Sequence, residues 1–403
     1  MNIFRVIYNM IKLLTILVLL LIILLWIPYL STAIYRFDNP SEFAGNNIYN
    51  PYQTMDSTAW IKANFQIQSY AWKGITDGRK NSNENIDSIY SMLEYDVIAT
   101  SDYMKINRYG ENKPSYIPVY EHGYGIFKNH QVCIGAEEVD WFDYFFYQSN
   151  HHKQQILNRL QVTNDLVYIA HPRFGGGNEP EDFKYLTNYD GIEALNGFRF
   201  SLDYWDTALS TGHYATVLSN DDAHDITNPD QIGQFCTFIN VAEIKRENIV
   251  SSLKKGNAFG AQIHRELGDS FEIKKEKLKD IANLKYVKLN GDTIRVATDR
   301  IAAEIRFIGQ DGKLMESVKN QIAAHYIFKE TDTYIRIEIF YDNGNKFFLN
   351  PLARYDQDLK MPELKGKQKM NTWIFRVTAA LILIFLFYLV IKIAKSIQFR
   401  RAS

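Results

Sequence analysis

The sequence is short of cysteine, of excess charge of either sign and of repetition. Two cysteines, Cys133 and Cys236, occur in 403 residues, and they lack Cys-x-x-Cys spacing. That excludes a small disulfide-built scaffold and a cysteine-built zinc finger. Both lie in apolar, strand-like runs and read as buried free thiols, with a disulfide between them left open. Lys and Arg number 45 against 46 Asp and Glu. With no basic stripe, the charge pattern gives no indication of nucleic acid. No segment repeats and none is of low complexity, which sets aside solenoids and biased tails.

Two long apolar runs are present. Leu13 to Trp26 contains one polar residue, Thr15, and the run closes on Trp26, Pro28 and Tyr29. Such an aromatic ending suits a lipid–water boundary. With Lys12 snorkelling to the edge, residues 6–29 reach the roughly 20 apolar residues that a spanning helix needs. Ser31-Thr32-Ala33 leaves a cleaved signal peptide as the alternative. The second run, residues 373–391, carries one charge, Arg376, near its start. Arg5 and Lys12 flank the first run, and Lys392, Lys395, Arg400 and Arg401 follow the second. Positive charge there places both termini in the cytoplasm, against the contrary weight of Lys365, Lys367 and Lys369. The expectation is a two-pass membrane protein with an extracytoplasmic body, residues 35–365, which is periplasmic if the cell is bacterial.

That body is long enough for one large domain and one small one. From Trp60 to about Ala261, short apolar strands alternate with helix-compatible stretches. The strands are Ile61–Phe65, Asp96–Thr100, Tyr116–Tyr120, Gln131–Gly135, Leu166–Ile169, Gly191–Leu195, Ala215–Ser219 and Phe235–Val241. The helices are Asn85–Leu93, His151–Leu160, Asp182–Leu186, Asp203–Leu209 and Arg246–Lys255, the last closed by Gly256 at C′. This alternation predicts an α/β fold with βα units, a parallel sheet and barrel-like closure. After Leu284 the rhythm is of short strands, with hairpin turns at Gln310-Asp311-Gly312 and Asp342-Asn343-Gly344. Tyr334-Ile335-Arg336-Ile337-Glu338-Ile339 alternates apolar and charged residues as a half-buried strand does. A small all-β, sandwich-like domain is expected there.

Ionisable residues gather where the barrel strands end: Asp102, Glu121-His122, His130, His171-Pro172-Arg173 and Asp221-Asp222-Ala223-His224. In a βα barrel those ends form one rim, and carboxylates with imidazoles on one rim compose a hydrolytic metal site. Blander readings hold for several neighbours. His122 and His213 read as hydrogen-bonded structural residues, His151-His152 as a solvated helix start, and Gly175-Gly176-Gly177 as a loop rather than a phosphate cradle.

The order of these motifs resembles the polymerase and histidinol phosphatase (PHP) superfamily of metal-dependent phosphoesterases over residues 58–265. The resemblance implies a distorted (β/α)7 barrel, with the β region, 283–355, like the accessory domain of some members. Transmembrane segments at 6–29 and 373–391 would flank the two. It implies metal ligation by Glu121, His130, His171, Asp222 and His224, with Asp102 matching the Asp of an Asp-His pair. Gln66 and Gln68 stand where the family has His-x-His, and Tyr103 stands where it has the histidine after Asp102. A neutral amide oxygen is a poor ligand beside imidazole, and Tyr ligates only as phenolate, with a reference pKa of about 10. A family site for three ions would thus retain about one, zinc or manganese, at Glu121, His130 and His171.

Two functions compete. One is a phosphoesterase, impaired by lost ligands, in which Arg173 pairs with phosphate oxygens and Asp222 or His224 protonates the leaving group. The other is a pseudoenzyme that binds a phosphorylated small molecule or other anionic ligand as a sensor or scaffold at the membrane. A third idea makes the β domain the working part, binding a partner or glycan.

Overall fold

The computed structural model describes residues 3–397 except 77, 358, 360 and 361; Arg400 and Arg401 lie outside the described residues. Two helices, α1 (Ile3–Trp26) and α7 (Lys369–Lys395), are each long and apolar enough to cross a membrane. At about 1.5 Å per residue, α1 is about 36 Å long, enough to pass the roughly 30 Å hydrocarbon layer. Arg376 does not simply reach for headgroups. It donates to the carbonyls of Ser31 (2.7 Å) and Thr32 (3.1 Å), clamping α7 to the turn that follows α1.

The body is mixed α/β. Its strands are β1 (Asn47–Tyr49), β2 (Trp60–Asn64), β3 (Val97–Ile98), β4 (Val119–His122), β5 (Gln131–Ile134), β6 (Leu166–Ile169), β7 (Gly191–Asn196), β8 (Thr216–Asn220), β9 (Phe235–Asn240) and β10 (Ala258–Gln262). There follow β11 (Leu284–Asn290), β12 (Thr293–Gly309), β13 (Lys313–Ile327), β14 (Tyr334–Phe340) and β15 (Lys346–Tyr355). Helices α2 (Asn83–Met92), α3 (Asn150–Thr163), α4 (Leu202–Ser210), α5 (Arg246–Lys255) and α6 (Phe271–Leu278) lie between them. Gly256 caps α5 at φ +78°, a left-handed value that costs glycine no Cβ clash.

One sheet runs β11-β12-β14-β15-β10-β9-β2-β3, with β1 on β15 and β13 on β12. The other runs β4-β5-β6-β7-β8. Two seams join them. Beyond β3, the Met104 amide donates to the Glu121 carbonyl at 2.8 Å. On the other side, Ser219 of β8 and Thr237 of β9 exchange two hydrogen bonds of 3.0 Å, and Ser219 Oγ reaches the Ala261 carbonyl of β10 at 2.9 Å.

The expected parallel sheet is mixed instead. β2–β3, β6–β7 and β7–β8 are parallel, whereas β4–β5, β5–β6, β2–β9 and β9–β10 are antiparallel. The connection from β4 to β5 is too short for a crossover, which takes a dozen or more residues. Elsewhere an intervening helix permits a parallel crossover without enforcing it. The C-terminal strands are also hydrogen-bonded into the large sheet through β10–β15, so they form no detached sandwich.

Strand β14 departs from the half-buried expectation, because both of its faces are covered. Arg336 and Glu338 are buried, and Arg336 makes a two-pronged pair with Asp206 of α4 (2.6 and 2.8 Å) and a third bond to Glu338 (2.6 Å). The charges on β14 are thus docking groups for the α4 face. His151 and His152 are likewise not a solvated helix start. Nδ1 of His152 accepts from the Ser149 amide at 3.0 Å, its ring lies against Tyr29, Tyr144 and Phe375, and His151 accepts from the Tyr35 amide. Cys133 and Cys236 are free and buried.

Candidate metal centre

Three strand ends bring Glu121, His130 and His171 together, and one ligand atom from each lies within 4.8 Å of the others. Glu121 is on β4, His130 directly precedes β5, and His171 follows β6. Oε1 of Glu121 is 2.5 Å from Nδ1 of His130 and 3.3 Å from Nε2 of His171. Glycine at 123 makes this approach feasible: with φ +121°, a Cβ there would meet the His130 ring at 2.7 Å. His171 itself has φ +26°, a backbone strain that tertiary packing must hold.

Burial opposes ionisation of Glu121, but His130 and His171 hold its carboxyl well below the ordinary range. Burial also depresses His130. For His171, burial acts downward but is outweighed by the bond to Glu121 and the charges of Asp222, Glu121 and Glu193, which lift it to about 9. Nδ1 of His130 and Nδ1 of His171 are buried without an aligned hydrogen-bond partner. Two imidazoles converging on one buried carboxylate form a donor set suited to a divalent transition metal. The residues therefore fit one ion.

The other expected ligands are arranged differently. Asp102 accepts from the Ser69 amide (2.7 Å) at one oxygen and from the Ser69 hydroxyl (2.6 Å) at the other. Asp222, at φ +52°, accepts from Asn196 Nδ2 at 3.2 Å and stands 3.8 Å from His224 Nδ1. Both Asp222 and His224 line the cleft beside the triad but stand outside the grouped ligands. Arg173 turns away to Asp203 and to the Phe200 carbonyl. The cations on the cleft wall are Arg79 and Lys128. His122 bonds Gln131 and the Phe142 carbonyl, as a structural residue does. Gly177 lies against the Phe127 carbonyl.

Gln66 and Gln68 each hold a buried carboxylate. Gln68 Nε2 donates to Glu121 Oε2 at 2.9 Å and to the Ser101 carbonyl at 2.9 Å, occupying the carboxylate oxygen that faces away from the histidines. The Gln66 amide, oriented to donate, reaches both oxygens of Glu193 at 2.9 and 2.5 Å. Glu193 was not singled out in sequence. It is fully buried in β7, accepts from the His171 amide (3.0 Å), Asn196 (2.9 Å) and Asn220 (2.8 Å), and burial pushes its carboxyl up to about 8. A lone carboxylate inside the apolar run Gly191–Asn196 is the signal that could have marked it, since such a group must find partners.

No protein-family profile matches the chain, and no curated protein matches it. Among solved structures it is similar to a two-domain protein containing a predicted PHP-like metal-dependent phosphoesterase from Bacteroides vulgatus ATCC 8482. The identity is 12%, the match covers 77% of this chain and 99% of that one, and the TM-score is 0.37.

Proposed function

We propose that this chain is a membrane-anchored, PHP-like phosphoesterase domain that holds one divalent ion, zinc or manganese, at Glu121, His130 and His171. The observation that carries it is a fully buried carboxylate set between two buried imidazoles, 2.5 Å from His130 Nδ1 and 3.3 Å from His171 Nε2. An ion held there supplies Lewis-acid polarisation of a phosphoryl oxygen. Gln68 fixes the rotamer of Glu121 from behind, Arg79 and Lys128 offset phosphate charge, and Asp222 with His224 stands where a leaving group can take a proton. The ligand is a phosphorylated or otherwise anionic molecule. Arg5 and Lys12 on α1, and Lys392 and Lys395 on α7, support cytoplasmic termini and an extracytoplasmic body.

One observation favours a second reading, a binding protein without turnover. Gln66, Gln68 and Ser69 satisfy the carboxylates of Glu193, Glu121 and Asp102 that further ions would need. Phosphoryl transfer is faster with two or three ions than with one.

The test is elemental analysis of the full chain purified in detergent micelles, with Glu121→Gln and His171→Ala as controls. About one tightly held ion per chain, lost in both variants, is expected from a site of this donor set. A folded chain without metal would sink the proposal. Metal without hydrolysis of p-nitrophenyl phosphate would select the binding protein.

A further inference from the structure

The cleft at the triad has a volume of about 960 Å³, and its wall is divided by chemistry. Arg79 and Lys128 provide positive charge, whereas Trp72, Ile75, Trp141 and Phe198 provide an apolar, aromatic side. That side is open: Ile75 is 83% exposed and Trp141 is 58% exposed. The rings of Trp72 and Trp141 meet edge to face at 6.0 Å. A site for a small hydrophilic phosphate ester has no use for so much uncovered apolar surface at its rim.

The position of the rim explains it. Residues 141–147 run directly from the cleft to the membrane end of α1. The Phe146 ring is 6.3 Å from Trp26, the last residue of α1, and Tyr29 packs on Tyr144 and donates to the Tyr147 carbonyl. The neighbouring loop is tied to the same segment, because Asp143 accepts from the amides of Tyr124 and Gly125, and Ile126 donates to the Phe145 carbonyl. Trp141 and Phe146 are five positions apart, at most about 18 Å of extended chain, and the Phe146 ring is a further 6.3 Å from Trp26, which marks the lipid–water boundary. Ile126 and Tyr147, 53% and 67% exposed, extend the apolar surface along this route.

We infer that the ligand of this cleft is a membrane-embedded lipid carrying a phosphate ester, its headgroup lifted to the triad and its first apolar segment lying on Ile126, Trp141 and Tyr147. This rests on the proposed metal-site function and names its substrate class. The phosphate would face Arg79, Lys128 and the triad, while the tail stays in the leaflet from which α1 emerges.

The experiment uses the full chain in phosphatidylcholine nanodiscs containing a phosphatidic acid with a photoreactive diazirine near its headgroup. Adducts are mapped by mass spectrometry, and metal content is read on the same sample. Adducts on peptides holding Trp72–Ile75 and residues 126–147, besides those on α1 and α7, are expected. They should fall about tenfold in Trp141→Ser, the loss that removing one buried aromatic contact implies, and persist in Trp141→Phe. Adducts confined to α1 and α7 would overturn the inference, as would displacement of the label by glycerol 3-phosphate as effective as by unlabelled phosphatidic acid. A metal-loaded chain without cleft adducts removes the lipid and leaves the metal site. Cleft adducts on a metal-free chain keep the lipid and remove the metal site.

Discussion

At the scale of single residues, the decisive feature is the amide of Gln68 behind Glu121. It satisfies the outer oxygen of Glu121 in a fully buried setting. Gln68→Ala leaves that oxygen unpaired, a loss of about 1–3 kcal/mol. Urea unfolding of the full chain in micelles should show it, with much of the loss restored by saturating zinc, which binds only the folded form. Buried histidines away from the site set the acid limit. Burial depresses His152 and His213 to about 4. Below about pH 6.5 the unfolded chain takes up protons that these folded imidazoles refuse, so stability is full above that value and is lost as pH falls toward 4. His213→Gln should flatten that decline by up to about 2.5 kcal/mol, read from urea midpoints at pH 7 and pH 4.5.

At the scale of elements, the docking of β14 on α4 is electrostatic at its centre. Arg336, with Asp206 and Glu338, is enclosed and lies over the Trp205 ring. Asp206→Ala breaks a buried pair and should destabilise the chain by about 3–5 kcal/mol, seen as a lower thermal midpoint. Replacing all three with apolar residues of similar volume (Asp206→Leu, Arg336→Met, Glu338→Leu) should be close to neutral, because no charge is left stranded. The period-2 pattern of 334–339 was legible as a strand, and the structure bears out the strand. Its charged face was misjudged because alternation reports two different faces, not which of them meets solvent. In the long hairpin, residues 293–309 form one strand, β12, although the expected rhythm there was of short strands, and its pairing with β13 shifts between Ala297 and Ala302. A bulge interrupts a hydrophobic pattern without ending a strand.

At the scale of the whole molecule, the two apolar terminal helices and the body are one assembly. Tyr29 belongs to the same core as Tyr144, Leu157 and Trp205, and Thr372 and Arg376 of α7 bond the chain just after α1. Both helices join the body at the same end, so in a two-pass arrangement their far ends share one side of the membrane. Single cysteines introduced at Ser396 and Lys80 should therefore be labelled by an impermeant maleimide from opposite faces of sealed vesicles. Labelling of both from the same face would sink the two-pass arrangement. Native Cys133 and Cys236 will not interfere, since both are buried and burial raises their thiol pKa values, that of Cys236 to about 12.

What is local, or carried by residue type, was legible in the chain. Two runs had the length and apolarity of spanning helices, β6 and α5 lay where their patterns placed them, and imidazoles and carboxylates fell at strand ends. Which of these meet was left to the packing of the folded chain. It brought Glu121, His130 and His171 to one point, turned Arg173 toward Asp203, gave both oxygens of Asp102 to Ser69, and set Glu193 beneath Gln66. It also set the strand directions and carried the cleft rim to the end of α1. These outcomes depend on distances between residues far apart in the chain, which strand pairing and core packing fix and local pattern does not record.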